Sequence, residues 1–167
     1  MKRLFLLVLV LLVAAPLCAC SIPDDDPEDE FSSMYVAEVL PPSEFETLEA
    51  LSEAAGFTVT PPQNLMSRDS AFPVFSLIND EVASVSFMTE ETELADFRMA
   101  KKTGEDISGV ADDYPDTANM TSPAAKLFSS EGIFHLATWD KGEYTYSVFV
   151  FEGTDKATLE AYVKNVK

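Results

Sequence analysis

The chain contains one imidazole and two thiols, those of His135, Cys18 and Cys20. Both cysteines stand at the very start of the sequence. Neither a Cys/His zinc site nor a Cys-His nucleophilic pair can therefore be assembled in the body of the chain, since each needs these ligands side by side. As a general base His135 would need a nucleophile or an orienting acid within hydrogen-bond reach, and no motif supplies either. It lies in an alternating apolar run and reads as a structural histidine. The carboxylates Asp106, Asp112, Asp113 and Asp116 could make an acid/base pair, but their spacing fixes no geometry and glycine and proline surround them, so a solvated loop is expected. A second acidic cluster, from Asp24 to Glu30, lacks the fixed glycine and terminal glutamate of a calcium loop. There is no phosphate-cradling loop ending in Lys-Ser/Thr and no Gly-x-Ser-x-Gly elbow. No cofactor or metal is implied.

Cys20 carries the clearest chemistry. Before it run Met1-Lys2-Arg3, an apolar stretch from Leu4 to Ala15, and Leu17-Cys18-Ala19. A short basic start, a hydrophobic stretch too brief to span a bilayer and small residues before the cut mark a secretory signal peptide. The last four residues resemble a bacterial lipobox, which makes Cys20 the first residue of the mature chain and its thiol the acceptor of a lipid such as palmitate. Cys18 is less suited, because the bulky Leu17 would sit at the cleavage bond. From Ser21 to Glu30 two prolines and six acids occupy ten positions, a composition that extends and stiffens a tether. The expected organisation is a signal peptide at 1–19, a lipidated cysteine with an acidic, proline-containing tether at 20–42, and a single α+β domain at 43–167. The expected location is the outer face of the bacterial plasma membrane, or another envelope membrane, with lipid as the anchor.

Charge limits the partners. The net charge is −18, and since Lys2 and Arg3 leave with the signal while all 29 acids stay, nine basic residues remain and the mature value is −20. Nucleic acid is excluded as a partner, because its binding needs lysine and arginine to neutralise phosphates. Lying flat on an anionic bilayer is disfavoured for the same reason. With both cysteines in the signal region, the mature domain must be held by packing alone.

The elements follow from hydrophobic period. Phe31 to Leu40 is ambiguous. Ser43 with Glu46 predicts a capping box that opens a helix of about 12 residues, its apolar face formed by Phe45, Leu48, Leu51 and Ala55 and its end made by Gly56-Phe57. A proline-containing loop follows, Thr60 to Ser70. Val74–Ile78 and Val82–Phe87 alternate around a turn near Asn79-Asp80 and predict a hairpin that buries Phe75, Leu77, Ala83, Val85 and Phe87. Further strands are expected at Glu93–Lys101, Thr117–Thr121 and Ala124–Ser129. The strongest hairpin joins Gly132–Asp140 to Glu143–Phe151 through Lys141-Gly142. A final helix starts at Thr154 or Asp155 and packs Leu159, Tyr162, Val163 and Val166. The predicted fold class is α+β: an antiparallel meandering sheet of about six to seven strands with an N-terminal and a C-terminal helix against it.

A two-residue Lys141-Gly142 turn would set Trp139 opposite Tyr144, Ala137 opposite Tyr146 and His135 opposite Val148. Ile133, His135, Ala137, Trp139, Tyr144, Tyr146, Val148 and Val150 then share one face, and Phe134, Leu136, Phe149 and Phe151 the other. Such a hairpin is buried on both sides, or is buried on one and binds through the other. Trp139, Tyr144 and Tyr146 are accordingly candidates either for core or, with Asp106, Asp112 and Asp113, for a binding surface.

Several segments resemble an uncharacterised extracytoplasmic domain found on bacterial lipoproteins and behind single membrane helices in some anti-sigma-like proteins. They are Ala55-Gly56-Phe57, the run Leu77 to Val85, Glu105-Asp106-Ile107-Ser108-Gly109, and Ala137-Thr138-Trp139 with Gly142, Tyr144, Tyr146 and Ser147. The resemblance implies an α+β fold in the cell envelope and carries no catalytic residues. Together with the anchor it leads to the expectation of a non-catalytic binding or sensing module with an envelope protein or peptide as partner. The alternatives are an envelope hydrolase using acidic residues, which needs His135 and two carboxylates in one deep pocket, and a carrier of apolar ligands, which needs the aromatic face to line an open cavity.

Overall fold

A computed structural model describes residues 41–166. The expected signal peptide, Cys20, the expected tether up to residue 40 and the Phe31–Leu40 stretch lie outside the described residues. Eight antiparallel strands form one sheet: β1 (Ser43–Phe45), β2 (Phe72–Ile78), β3 (Val82–Met88), β4 (Glu93–Lys101), β5 (Asp116–Thr121), β6 (Ala124–Ser130), β7 (Ile133–Lys141) and β8 (Tyr144–Thr154). Their spatial order is β1-β2-β3-β4-β8-β7-β6-β5, two four-stranded meanders joined where β8 pairs with β4. Three helices, α1 (Leu48–Ala55), α2 (Gln63–Met66) and α3 (Lys156–Lys164), supply Leu51, Leu65, Leu159, Tyr162 and Val163 to one apolar core. The class is α+β with an antiparallel sheet, as the period of the sequence predicts.

The count of six to seven strands is corrected to eight, and the difference lies at Ser43. Instead of capping a helix, Ser43, Glu44 and Phe45 pair with Leu77, Ser76 and Phe75. Strand pairing gives three residues of backbone their hydrogen bonds and places Phe45 beside Phe75, which a solvent-facing cap does not offer. The helix starts one turn later. Thr47 is its N-cap, and its hydroxyl oxygen accepts from the Ala50 N–H at 3.1 Å. It therefore has 8 residues. Its end is as expected: Gly56 adopts φ +72°, and the N–H groups of Gly56 and Phe57 donate to the Glu53 and Ser52 carbonyls at 3.2 and 3.3 Å, the double closure of a glycine C-cap. The short helix α2 occupies part of the predicted loop. At the other end Asp155 caps α3, accepting from the Thr158 N–H at 3.0 Å.

Strand registers sort the two faces of the sheet. One row crosses all eight strands as Phe45, Phe75, Val85, Phe97, Val148, Ala137, Leu127 and Ala118. The adjacent row on the opposite face is Glu44, Ser76, Ser84, Arg98, Ser147, Thr138, Lys126 and Asn119. The apolar row meets the helices; the polar row is on the second face. The hairpin prediction for β2 and β3 holds, with Phe75, Leu77, Ala83, Val85 and Phe87 all buried.

The β7–β8 hairpin departs from expectation twice. Lys141 pairs with Tyr144, so the turn is Gly142-Glu143 and Trp139 stands opposite Tyr146. Gly142 has φ +63° as the first turn residue, the angle a two-residue hairpin needs there. The slip moves the pairing by two residues, so Trp139, Tyr144, Tyr146 and Val148 keep one face. The second departure is a register shift between Phe134 and Leu136. A bulge reverses the alternation: Phe134 packs against the core, while His135 and Ile133 pass to the face of Phe149 and Phe151.

Candidate functional site

The second face is crossed by the segment 102–115, which leaves β4 in the middle of the sheet and reaches β5 at its edge. At its start the Lys102 N–H donates to the Glu143 carbonyl at 2.8 Å, and its ammonium pairs with Asp140 at 2.7 Å. That ammonium, together with the Thr145 hydroxyl, holds the Asp140 carboxyl below its ordinary range.

A buried ionic clasp fixes the middle of the strap. In β4, Ala95, Phe97 and Met99 face the core, so Asp96 and Arg98 project together from the other side. Arg98 Nε donates to Asp96 Oδ2 at 2.7 Å and the Ser84 hydroxyl donates to Asp96 Oδ1 at 2.6 Å. Arg98 Nη1 donates to the Ile107 carbonyl at 3.3 Å. Asp106 accepts from the Ser108 N–H and hydroxyl at 2.9 and 3.1 Å, turning the chain back on itself. Gly109 then runs so close to the guanidinium that a Cβ there would lie 2.0 Å from Nη1. The Glu-Asp-Ile-Ser-Gly segment is thus the strap's half of the clasp.

Beside the clasp, burial pushes the Glu93 carboxyl up; a hydrogen bond from Ser86 and the charge of Arg98 oppose this, and Asp96 adds to it. A raised pKa means that folding favours the protonated acid, so this stabilisation is present at acidic pH and lost as pH rises through the raised value. Glu93→Gln should therefore melt above the wild type at neutral pH and level with it below the ordinary carboxylate range, as scanning calorimetry at the two pH values would check.

Beyond the clasp the strap ends on an aromatic surface. Tyr114 stacks on His135 with ring centroids 5.1 Å apart, His135 lies 6.5 Å from Phe149, and Phe149 meets Phe151 edge-on at 4.8 Å. His135 Nδ1 is 3.2 Å from the Val150 carbonyl. Gly153, at φ +72°, lets Ile133 and His135 close over β8, since a Cβ there would come within 2.3 Å of Ile133 and 2.7 Å of the His135 ring. Ile133 and Phe151 are 48% and 43% exposed. Burial, with Asp112 adding its charge, pushes the Tyr114 hydroxyl up.

Of the residues singled out from sequence, Asp106, Trp139 and Tyr146 border one cavity, whereas Tyr144, Asp112 and Asp113 do not. Trp139 and Tyr146 are 4% and 3% exposed and lie stacked, 5.2 Å apart and 7° from coplanar; Tyr144 packs on Phe57 at 5.3 Å. These three fill the helix side of the sheet. Asp106 borders a cavity of about 430 Å³ with Thr138, Asp140 and Thr145, and Trp139 and Tyr146 reach its wall. Asp112 and Asp113 stand at the far end of the strap, near Tyr114. His135 borders neither this cavity nor those of about 490 and 540 Å³ at Arg98 and Asn64. Among the described residues no three His, Cys, Asp or Glu stand close enough to hold a metal ion, and no helix is long and apolar enough to cross a membrane.

Sequence reasoning missed two features that had signals. Asp96 and Arg98, two apart in a strand and flanked by the apolar Ala95, Phe97 and Met99, predict an ion pair on one face. Gly153 at the end of an apolar strand is the mark of a bulge or close backbone approach, and it leaves room for the displaced His135.

The fold defines an α+β domain whose sheet is covered by helices on one face and by an ion-clasped strap on the other. No family model matches this chain, nor does any curated protein or solved structure.

Proposed function

We propose that the protein is a lipid-anchored, extracytoplasmic binding module without catalytic activity, held at the outer surface of a bacterial membrane through Cys20 and presenting the second face of its sheet to an envelope protein or peptide. The reading also takes the domain to be of the uncharacterised lipoprotein type that its sequence segments resemble. The observation that carries it is the cluster of Ile133, His135, Phe149 and Phe151 beside Tyr114, in which Ile133 and Phe151 are exposed and His135 and Phe149 half-buried. Large apolar side chains grouped in the open on a strongly acidic chain lose hydration favourably only when something covers them. On the helix side the aromatic residues already pack against one another, so binding is assigned to the opposite face.

Anchoring has a direct test. Metabolic labelling with a fatty acid should mark the wild type and Cys18→Ser and leave Cys20→Ser unlabelled, because attachment needs the thiolate of Cys20; the reverse pattern would move the anchor to Cys18. For binding, a photo-crosslinking residue placed at position 151 in the native membrane should yield a discrete adduct, and one placed at Glu53 on α1 should not. Equal adducts from both positions, or none from position 151, would count against the second face.

A further inference from the structure

We infer that the aromatic cluster docks a cationic, apolar segment of another protein, one carrying lysine or arginine between aliphatic or aromatic side chains. This rests on the binding reading above and names the partner's chemistry.

The surface has an apolar centre and an acidic rim. Ile133 and Phe151 are the most exposed members of the centre, and Gly153 allows Ile133 and the His135 ring to lie against β8 as one continuous surface. Around it stand four acids: Asp112 and Asp113 just before Tyr114, Asp116 just after it, and Glu131 in the turn that opens β7. All four are exposed. Of the two cations in the polar row of this face, Arg98 is committed to Asp96 and the Ile107 carbonyl, and Lys126 lies over the Phe128 ring, 4.6 Å from its centroid.

Charge selects among occupants. A second copy of this chain would bring the same acids against themselves, and like charges across an interface cost several kcal/mol, about as much as a good hot spot supplies. The chain's own tether, with six acids in ten residues, meets the same repulsion. So does an anionic lipid surface. A segment with apolar side chains for the centre and cations for the rim satisfies both parts: the aromatics supply the buried contact, and the rim supplies steering and orientation.

The test uses the full chain in phosphatidylcholine nanodiscs and three labelled octapeptides that alternate lysine with leucine, glutamate with leucine, and lysine with serine. Fluorescence anisotropy should show the lysine-leucine peptide binding at least about tenfold more tightly than either control. Ile133→Ser with Phe151→Ser should weaken it about tenfold, as loss of exposed anchors does without unfolding the sheet. Asp112→Asn, Asp113→Asn and Asp116→Asn together should weaken it and flatten its salt dependence. Glu49→Gln with Glu53→Gln on α1, which removes charge from the helix side, should change nothing.

Equal binding of the lysine-serine peptide would reduce the effect to bulk charge, and equal binding of the glutamate-leucine peptide would remove the rim from recognition. Either result overturns the inference, as does failure of all three peptides or an equal loss from the α1 variant. If the peptides fail while position 151 still gives its discrete adduct in the membrane, the binding module stands and only the cationic identity of its partner falls.

Discussion

Trp139→Ala should cost about 3–5 kcal/mol of folding stability, a large part of what a domain of this size possesses. The side chain is 4% exposed and stacks on Tyr146 across the β7–β8 pair, within the core that α3 closes through Leu159 and Val163. Truncation removes the stack and opens a void that neighbouring strands, held by their ladders, cannot fill. A conservative variant separates size from chemistry. The indole Nε1 has no hydrogen-bond partner among the described residues, so Trp139→Phe removes an unpaired buried donor along with some volume, and the two effects oppose one another. Its cost should therefore be about 1 kcal/mol or less. Thermal and urea melts of the three proteins check both statements, and an unchanged midpoint for Trp139→Ala would sink the core assignment.

Asp96→Ala is expected to cost about 2–4 kcal/mol and to release the strap. The carboxylate is 8% exposed and receives both the Arg98 Nε–H and the Ser84 hydroxyl. Without it a guanidinium that is itself only 23% exposed keeps its charge and loses its counter-ion. Arg98 then turns toward solvent, and the Ile107 carbonyl loses its donor. Two measurements distinguish this from generic damage. Amide exchange at Ser108 and Val110 should accelerate more than exchange in β2 or β3, since the strap opens before the sheet does. The double variant Asp96→Leu with Arg98→Met should recover most of the lost stability, because replacing both charges leaves neither one buried alone. If Asp96→Ala leaves strap exchange unchanged, the clasp does not hold the segment.

How much of this was legible in the sequence depends on how locally each feature is determined. Alternation over Glu93–Lys101, the hairpin face of Phe75 to Phe87 and the spacing of Leu159, Tyr162 and Val163 report burial directly, and the structure reproduces them. The Gly56 cap was legible for the same reason, since a left-handed residue is required there. Ser43 to Phe45 was not. Its polar-acid-aromatic pattern suits a helix cap equally well, and only the free edge of β2, brought alongside by distant residues, decides for strand. The face of His135 was hidden because an extra β7 residue opposite β6 inverts an alternation that looks regular in one strand, and Gly153 in the partner strand leaves the room for it. The sites divide likewise. Trp139, Tyr144 and Tyr146 were equally consistent with core and surface until the helices were positioned, whereas the Asp96–Arg98 clasp was available from spacing alone.

The join between the two meanders also bears on the order of assembly. β4 pairs with β3 almost as soon as it is made, but its other neighbour, β8, lies about 40 residues further along the chain, and closing so long a loop adds an entropic barrier that local hairpins do not face. A chain emerging from its N-terminus therefore passes through a stage in which Glu93–Lys101, central in the finished sheet, forms an outer strand with unpaired amides and carbonyls. Ala95, Phe97 and Met99 are then half covered, and such an edge invites pairing with another nascent chain. Asp96 and Arg98 on that strand are an acid and a base, residue types that commonly flank or interrupt outer strands. The pair that later clasps the strap is thus of the residue type that guards such an edge.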